Sequence, residues 1–341
     1  MFIKNIVGEL SKLHDISMLS PRGPAPNNVH WVSDEKAIIN LEKVADLGGP
    51  AHLLRTAPLK AARYIPGLVS SLIRVYRSNS DAEILHINWL QNSIGSKSRK
   101  TPKLLTVLGT DYKLLQLPLV KTLVRRQISS SNCVIAPNAD WMCPLLKESF
   151  GDIADIHPVH FGCSEDLYDI TRAPKSGKWI VVQRVTKAKM GPLFLWYNEL
   201  PENNSIHLFG PNQEGLKIPE GISFHGSTTL EELKNNWLSS ATGIITLSTH
   251  DEGLPQILIE AAASGLPIIA SNQVAHKEIV QHGQNGYIVN SPKDFLNAVN
   301  KLNNLDHNIA FSKKSREIAK QKFGTWRDCA QRYNELYKRL L

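Results

Sequence analysis

Short apolar runs alternate along this chain with stretches whose apolar positions recur every three to four residues. Runs of the first kind predict buried strands and those of the second predict amphipathic helices; their alternation predicts an α/β fold with mainly parallel sheets. In the first half the pattern predicts strands at Glu83–Asn88, Lys103–Leu108, Cys133–Ala136 and Ile156–His160, with helices at Leu114–Ile128 and Ala139–Ser149. Residues 17–35, rich in Pro, Gly and Asn, predict a loop, and no first strand can be placed in this half. The second half is more regular. It predicts strands at Trp179–Gln183, Ile206–Phe209, Ile222–His225, Gly243–Leu247, Pro267–Ser271 and Tyr287–Val289. Helices are predicted near Pro192–Leu200, Leu230–Ser239, Gln256–Ala263, Ala275–His282 and Pro292–Leu302, which describes a doubly wound nucleotide-binding domain. A last helical stretch covers about Ser312–Leu341.

Periodicity fades over residues 160–176, so the chain divides into domains at 1–160 and 161–325, with a C-terminal helix at 326–341 placed to pack back on the first domain. A length of 341 residues suits two hydrophobic cores, and 42% apolar with 21% charged residues is ordinary for a globular protein. The formal net charge of +8 is uneven: residues 1–160 hold 19 Lys and Arg against 13 Asp and Glu (+6), the remainder 20 against 18 (+2). A basic first half suits an anionic surface or ligand, or is simply a solvated face.

Cys133, Cys143, Cys163 and Cys329 form no C-x-x-C pair and read as reduced thiols of a cytoplasmic protein. The N-terminal residues lack the apolar core of a signal peptide, and no run of about 18 apolar residues predicts a membrane span. Any membrane contact is therefore expected to be peripheral, on the inner face. G-x-G-x-x-G, the G-x-x-x-x-G-K-[ST] phosphate loop, H-E-x-x-H and G-x-S-x-G are all missing. No Asp-x-Asp pair offers to chelate a metal-bound diphosphate, and no cofactor or metal is expected. No nucleic-acid-binding module is recognisable.

The most informative stretch is 247–271, LSTHDEGLPQILIEAAASGLPIIAS. A strand ends at Leu247, a polar loop runs to Glu252, Gly253 permits close approach, Pro255 suits a first helical position, and Gly265 ends the helix. A helix N-terminus at a strand's C-terminal end offers free N–H groups and a positive dipole end to a diphosphate. Glu260 lies about 7.5 Å further along that helix, at 1.5 Å per residue, where a carboxylate can accept two hydroxyl hydrogen bonds.

This stretch resembles the donor site of retaining GT-B glycosyltransferases, which carry two glutamates with seven residues between them in E-G-L-P-x-x-L-x-E-A-x-A-x-G-x-P. The resemblance implies two Rossmann-like domains facing across a cleft. It implies that Glu252 approaches the donor sugar and phosphates, that Glu260 holds the ribose, and that Gly253, Leu254, Pro255 and Gln256 line the sugar and diphosphate. VVQRVTKAKMG (181–191) is similar to the family's V-G-R-x-x-x-x-K-G, with Arg184 and Lys189 on its cations and with Gln183 and Met190 standing where glycine is usual. Arg184 and Lys189 would neutralise the charge growing on the leaving phosphate. The turn His225-Gly226-Ser227 is placed by the same likeness to frame the nucleotide base. It covers about residues 155–290 well and the first half weakly.

In the first half, TVLGTDYKLLQLP (106–118) is the candidate acceptor wall. Asp111 either caps the following helix or, matching the acid of an H-G-[ST]-D-like turn, orients the acceptor hydroxyl and takes its proton. Leu108 stands where many relatives have histidine, and His86 is a second, weaker candidate. Leu117, Val120, Val124 and Ile128 form an apolar stripe beside Lys121, Arg125 and Arg126, and Arg63–Arg77 is similar; either these helices face the core or they meet an anionic lipid. The implied function is metal-independent transfer of a sugar, with retention, from a nucleotide sugar to a glycan or lipid-linked acceptor in surface polysaccharide or lipopolysaccharide synthesis. A GT-B nucleotide-sugar epimerase and a donor-binding or lipid-scaffold protein without turnover are the alternatives.

Overall fold

The computed structural model describes residues 2–23, 26, 28–79, 81–96 and 101–341; of the predicted loop at 17–35, residues 24, 25 and 27 lie outside the described residues. The chain divides into two compact units, Met1–His160 with Trp326–Leu341, and Phe161–Thr325.

In the first unit, buried apolar runs pair as a parallel sheet in the order β3 (Leu85–Asn88), β4 (Lys103–Val107), β5 (Cys133–Pro137), β6 (Asp155–Ile156). Every residue of β4 and β5 is buried, as expected of strands covered on both faces. Within the predicted loop, β1 (Ser17–Met18) and β2 (His30–Trp31) form a separate two-stranded parallel pair. Helices α1 (Phe2–Leu10), α2 (Glu35–Asp46), α3 (Gly49–Thr56) and α4 (Pro58–Ser78) precede the sheet. Val44, Leu53, Ala61, Leu68 and Leu72 make one apolar core where α2, α3 and α4 meet.

Two predicted elements shift. The helix expected from Leu114 begins at Pro118, as α5 (Pro118–Ile128), after a 3₁₀ turn at Thr110–Gln116. Proline's fixed φ and missing N–H suit that first helical position. Leu117 therefore precedes the helix and is 40% exposed, whereas Val124 and Ile128 are buried. The strand expected at Ile156–His160 is regular only over Asp155–Ile156, although His157 N–H and Val159 N–H carry on the bonding to the Ile135 (3.0 Å) and Pro137 (2.9 Å) carbonyls of β5. Helix α6 (Cys143–Phe150) follows a 3₁₀ turn at Asp140–Met142.

The second unit is a six-stranded parallel sheet in the order β12-β11-β10-β7-β8-β9. Its strands are β7 (Lys178–Val182), β8 (Ser205–Phe209), β9 (Ile222–Gly226), β10 (Gly243–Thr246), β11 (Ile268–Ser271) and β12 (Gly286–Val289). Its helices are α7 (Lys187–Met190), α8 (Leu193–Trp196), α9 (Leu230–Leu233), α10 (Gln256–Ala263), α11 (Val274–Lys277), α12 (Pro292–Asn303) and α13 (Leu305–Lys322). Trp179, Val181, Ile206, Ile245 and Ile269 from the strands pack with Phe295, Val299, Leu302 and Phe311 from α12 and α13. The single helix predicted over Ser312–Leu341 is two, since Gly324 turns left-handed at φ 65°. The second, α14 (Trp326–Leu340), packs on α1, β4 and β5 in the first unit. No described helix is long and apolar enough to cross a membrane.

Candidate active site

Strand order in the second unit reverses between β7 and β10. Sheets of this kind bind ligands outside the carboxyl ends of the strands where the order reverses. β7 ends in Gln183-Arg184 and leads into α7, which carries Lys189; β10 ends in the loop Leu247–Glu252. Lys189 Nζ forms an ion pair with Glu252 Oε1, their side chains 11% and 19% exposed. Burial lowers the Lys189 pKa, Glu252 draws it back up, and the Arg184 charge lowers it further. Two cations and a carboxylate thus share one partly dry corner, with Arg184 exposed.

The two loops are fastened together. Thr249 donates to the Ala188 carbonyl through both its N–H (2.8 Å) and its hydroxyl (3.1 Å). Gln183 donates Nε2–H to the Lys189 carbonyl (2.8 Å) and accepts from the Thr246 hydroxyl (3.1 Å). The amide at this departure from the family pattern therefore braces the loop that holds both cations. Gly191, at φ 52°, comes so near β10 that a Cβ would lie 2.0 Å from the Leu247 carbonyl. This glycine follows Met190, whose side chain is buried.

Gly253, Leu254 and Pro255 are buried beside this corner. Pro255 is the residue before the helix, with φ −72° and ψ 106°, and not its first turn; α10 starts at Gln256. Leu258 N–H bonds the Pro255 carbonyl (3.0 Å), which leaves the Gln256 and Ile257 N–H groups at the start of α10 without intrahelical acceptors. Gln256 donates to the Gly162 carbonyl (2.8 Å) and lies 3.4 Å from Glu260 Oε1. Burial raises the Glu260 pKa to about 7, with Gln256 opposing the shift. One residue here escaped the sequence analysis. His276, 1% exposed on α11, bonds the Ser271 carbonyl through Nδ1 (3.0 Å) and lies within electrostatic reach of Glu252 and Lys189. Burial lowers its pKa, so it stands as a neutral polar wall. No sequence motif marks it; only the return of β11 beside β10 does.

At the end of β9, Gly226 is left-handed (φ 72°) and Ser227 leads to Thr229, which caps α9 in a reciprocal box with Glu232. His225 stacks on Phe209, ring centroids 4.6 Å apart.

In the first unit Asp111 is 1% exposed and does not cap the helix after it. Its carboxylate turns back: Oδ1 accepts from Leu108 N–H (3.1 Å) and Gly109 N–H (2.9 Å), and Oδ2 from Leu90 N–H (3.2 Å). Burial outweighs those donors and raises its pKa to about 6. The geometry makes it the tie between the ends of β3 and β4. His86 is likewise inward: Nδ1 pairs with the Tyr337 hydroxyl (2.6 Å), Nε2 with the Thr106 hydroxyl (2.7 Å), and burial pushes its pKa down to about 4. It fastens α14 to the sheet and is not free to take a proton. The helix over Arg63–Arg77 buries Leu68, Leu72 and Val75, so that stripe faces the core.

Comparison with known proteins fits this geometry. Residues 198–304 match the family Glycosyl transferases group 1. The resemblance is to the group 1 glycosyltransferases, and the fold is GT-B. Sucrose-phosphate synthase from Thermosynechococcus elongatus superposes with a TM-score of 0.73 at 15% identity, over 99% of this chain and 92% of that one. Anabaena HepE in complex with UDP-glucose gives 0.65 at 15% identity, over 79% and 82%. In sequence, Bacillus subtilis spore coat protein SA is 33% identical over 96 residues, 27% of this chain and 25% of the relative. Erwinia amylovora amylovoran biosynthesis glycosyltransferase AmsD is 28% identical over 145 residues, 40% and 41% of the two chains. The chain thus spans less than half the length of these two sequence relatives. The residues matched by the family, 198–304, lie within the second unit.

Proposed function

We propose that this chain is a retaining glycosyltransferase that moves a sugar from a nucleotide sugar to a glycan or lipid-linked acceptor in the building of a surface polysaccharide or lipopolysaccharide. The observation that carries the reading is the half-buried Lys189–Glu252 pair beside Arg184, at the strand-order reversal and next to the N-terminus of α10. HepE holds UDP-glucose in a GT-B fold, so uridine nucleotides are the first donors to test.

Arg184, Lys189 and the first N–H groups of α10 would hold the diphosphate as its bond to the anomeric carbon breaks. Fixed donors of this kind stabilise developing charge without reorganising. Glu252, paired with Lys189 in the free protein, would turn to the donor sugar once phosphate claims that lysine. Glu260 would accept the ribose hydroxyls, and Gly226 and Ser227 would frame the base. In front-side displacement the acceptor oxygen bonds the anomeric carbon on the face the phosphate leaves, and the acceptor proton passes to a phosphate oxygen. No protein base is needed for that step, which fits the leucine at 108. Asp111 acts as a positioning residue for the acceptor side. The test is transfer from a panel of nucleotide sugars to oligosaccharide and lipid-linked acceptors, with the new anomeric linkage read by NMR. Retention supports the proposal; inversion, or conversion of the donor without an acceptor, contradicts it.

A further inference from the structure

The turns that follow the carboxyl ends of β3, β4 and β5 each carry an aromatic residue: Trp89 directly after β3, Tyr112 in the 3₁₀ turn after β4 and Trp141 in the 3₁₀ turn after β5. All three are half-buried. Tyr112 and Trp141 meet edge to face, centroids 5.1 Å apart at 84°. Ala139 and Met142 are fully buried on either side of Trp141 and fix its turn.

Trp89 carries a cost. Its φ is 66°, and among the described residues the only other non-glycine with positive φ is Asn28. Asparagine and glycine enter that region readily, whereas a bulky side chain there is an outlier. Such strain persists where the surroundings enforce it, typically at ligand sites. Here the surroundings are identifiable. Trp89 N–H bonds the Thr106 carbonyl (2.9 Å), and Asp111 grips the next N–H, that of Leu90 (3.2 Å). The same carboxylate holds Gly109, itself at φ 119°, whose carbonyl accepts from Tyr112 N–H (3.1 Å). One buried acid therefore sets the turns that carry two of the three rings.

We propose that Trp89, Tyr112 and Trp141 form a stacking subsite for the pyranose ring of a carbohydrate acceptor. An aromatic face is electron-rich, and the C–H face of a pyranose is apolar and weakly positive, so the two stack while the sugar's hydroxyls point outward to polar groups. The carboxyl rim of a parallel sheet is where such folds take ligands. This rests on reading the chain as a glycosyltransferase, and it narrows the acceptor to one that presents a sugar ring rather than a bare lipid headgroup.

The test uses the full chain with methyl glycosides of glucose, galactose, mannose and N-acetylglucosamine, binding being read by saturation-transfer NMR. Trp89→Gly removes a ring while relieving the backbone, so melting temperature should hold or rise; Trp141→Ala removes a second ring and Trp141→Phe restores a stacking face. Loss of about tenfold in saccharide affinity in Trp89→Gly and Trp141→Ala, recovery in Trp141→Phe, and unchanged UDP affinity in all three is the expected result, at the upper end of what one aromatic contact supplies. Saccharide affinity that survives both ring deletions, or absence of saccharide binding in wild type, would overturn the subsite. Failure of the glycosyltransferase reading looks different: wild type would bind no nucleotide.

Discussion

Replacing Glu260 with glutamine should abolish a pH dependence of donor binding and stabilise the empty protein. Burial raises the Glu260 pKa from 4.5 to about 7. A ribose diol needs the carboxylate as acceptor, so binding favours the charged form and releases a proton. With a pKa near 7, the charged fraction falls about tenfold between pH 8 and pH 6, and wild-type affinity for UDP-glucose should fall by about that factor. The diphosphate diester does not itself titrate there. Of the neighbours, burial lowers the His276 pKa, away from this window, and Lys189 is paired with Glu252. Glu260→Gln should bind with no such slope and, at pH 8, some ten- to hundredfold more weakly, from the roughly 1.5–3 kcal/mol of hydrogen bonds to a charged group. Stability moves the other way. Because the folded pKa lies above the unfolded one, the folded state loses stability as pH rises from 4.5 to about 7, by up to about 3 kcal/mol. The glutamine variant escapes that loss and should melt higher than wild type at pH 8. Calorimetric titration in buffers of different ionisation heat counts the released proton. A wild-type affinity flat from pH 6 to 8, or a glutamine variant that binds as wild type does, refutes the role given to Glu260.

Asp111→Asn keeps one acceptor for Leu108 and Gly109 but turns an N–H₂ on Leu90 N–H; it should cost about 1–3 kcal/mol in denaturant melts and slow transfer while leaving donor affinity unchanged. Arg184→Ala and Lys189→Ala should each lose on the order of 10²-fold in turnover, by analogy with removal of one oxyanion donor, whereas wild-type turnover should survive excess chelator. Chelator inhibition reversed by added metal would contradict that. Leu59 and Leu119 are 88% and 71% exposed beside Lys60 and Lys121, so the protein should bind anionic vesicles and be stripped by salt; sedimentation with neutral and anionic vesicles measures it.

Much of the second unit was legible because most of its strands are short, largely buried apolar runs, β10 wholly so. Gln256–Ala263, bracketed by Pro255 and Gly265, was predicted as a helix over the span it occupies. The first unit was harder to read. β1 and β2 are two residues each, too short for any period, and their pairing of Ser17 with His30 is a tertiary fact. Four-residue α7 and the π-turn at Lys234–Leu238 are also shorter than a helical repeat can show. In the site, the two glutamates and two cations stood out by their resemblance to the motifs of the GT-B donor site. The Lys189–Glu252 pair, the Gln183 brace and His276 did not, since each joins residues brought together only by strand order. Asp111 was read as either a cap or an acceptor-orienting acid, because sequence shows which residues follow an acid and not which N–H groups fold back on it.

The central claim is that the second unit binds a nucleotide sugar through residues 183–260 without metal. Thermal denaturation with a panel of nucleotide sugars, in excess chelator, tests it most directly. A donor at 100 times its Kd adds about 2.7 kcal/mol, which for a unit of this size is a rise of roughly 5 °C or more. At least one nucleotide sugar should give that shift in wild type, and Lys189→Ala and Glu260→Ala should reduce or abolish it. A wild-type protein that melts at the same temperature with every nucleotide sugar would contradict the account.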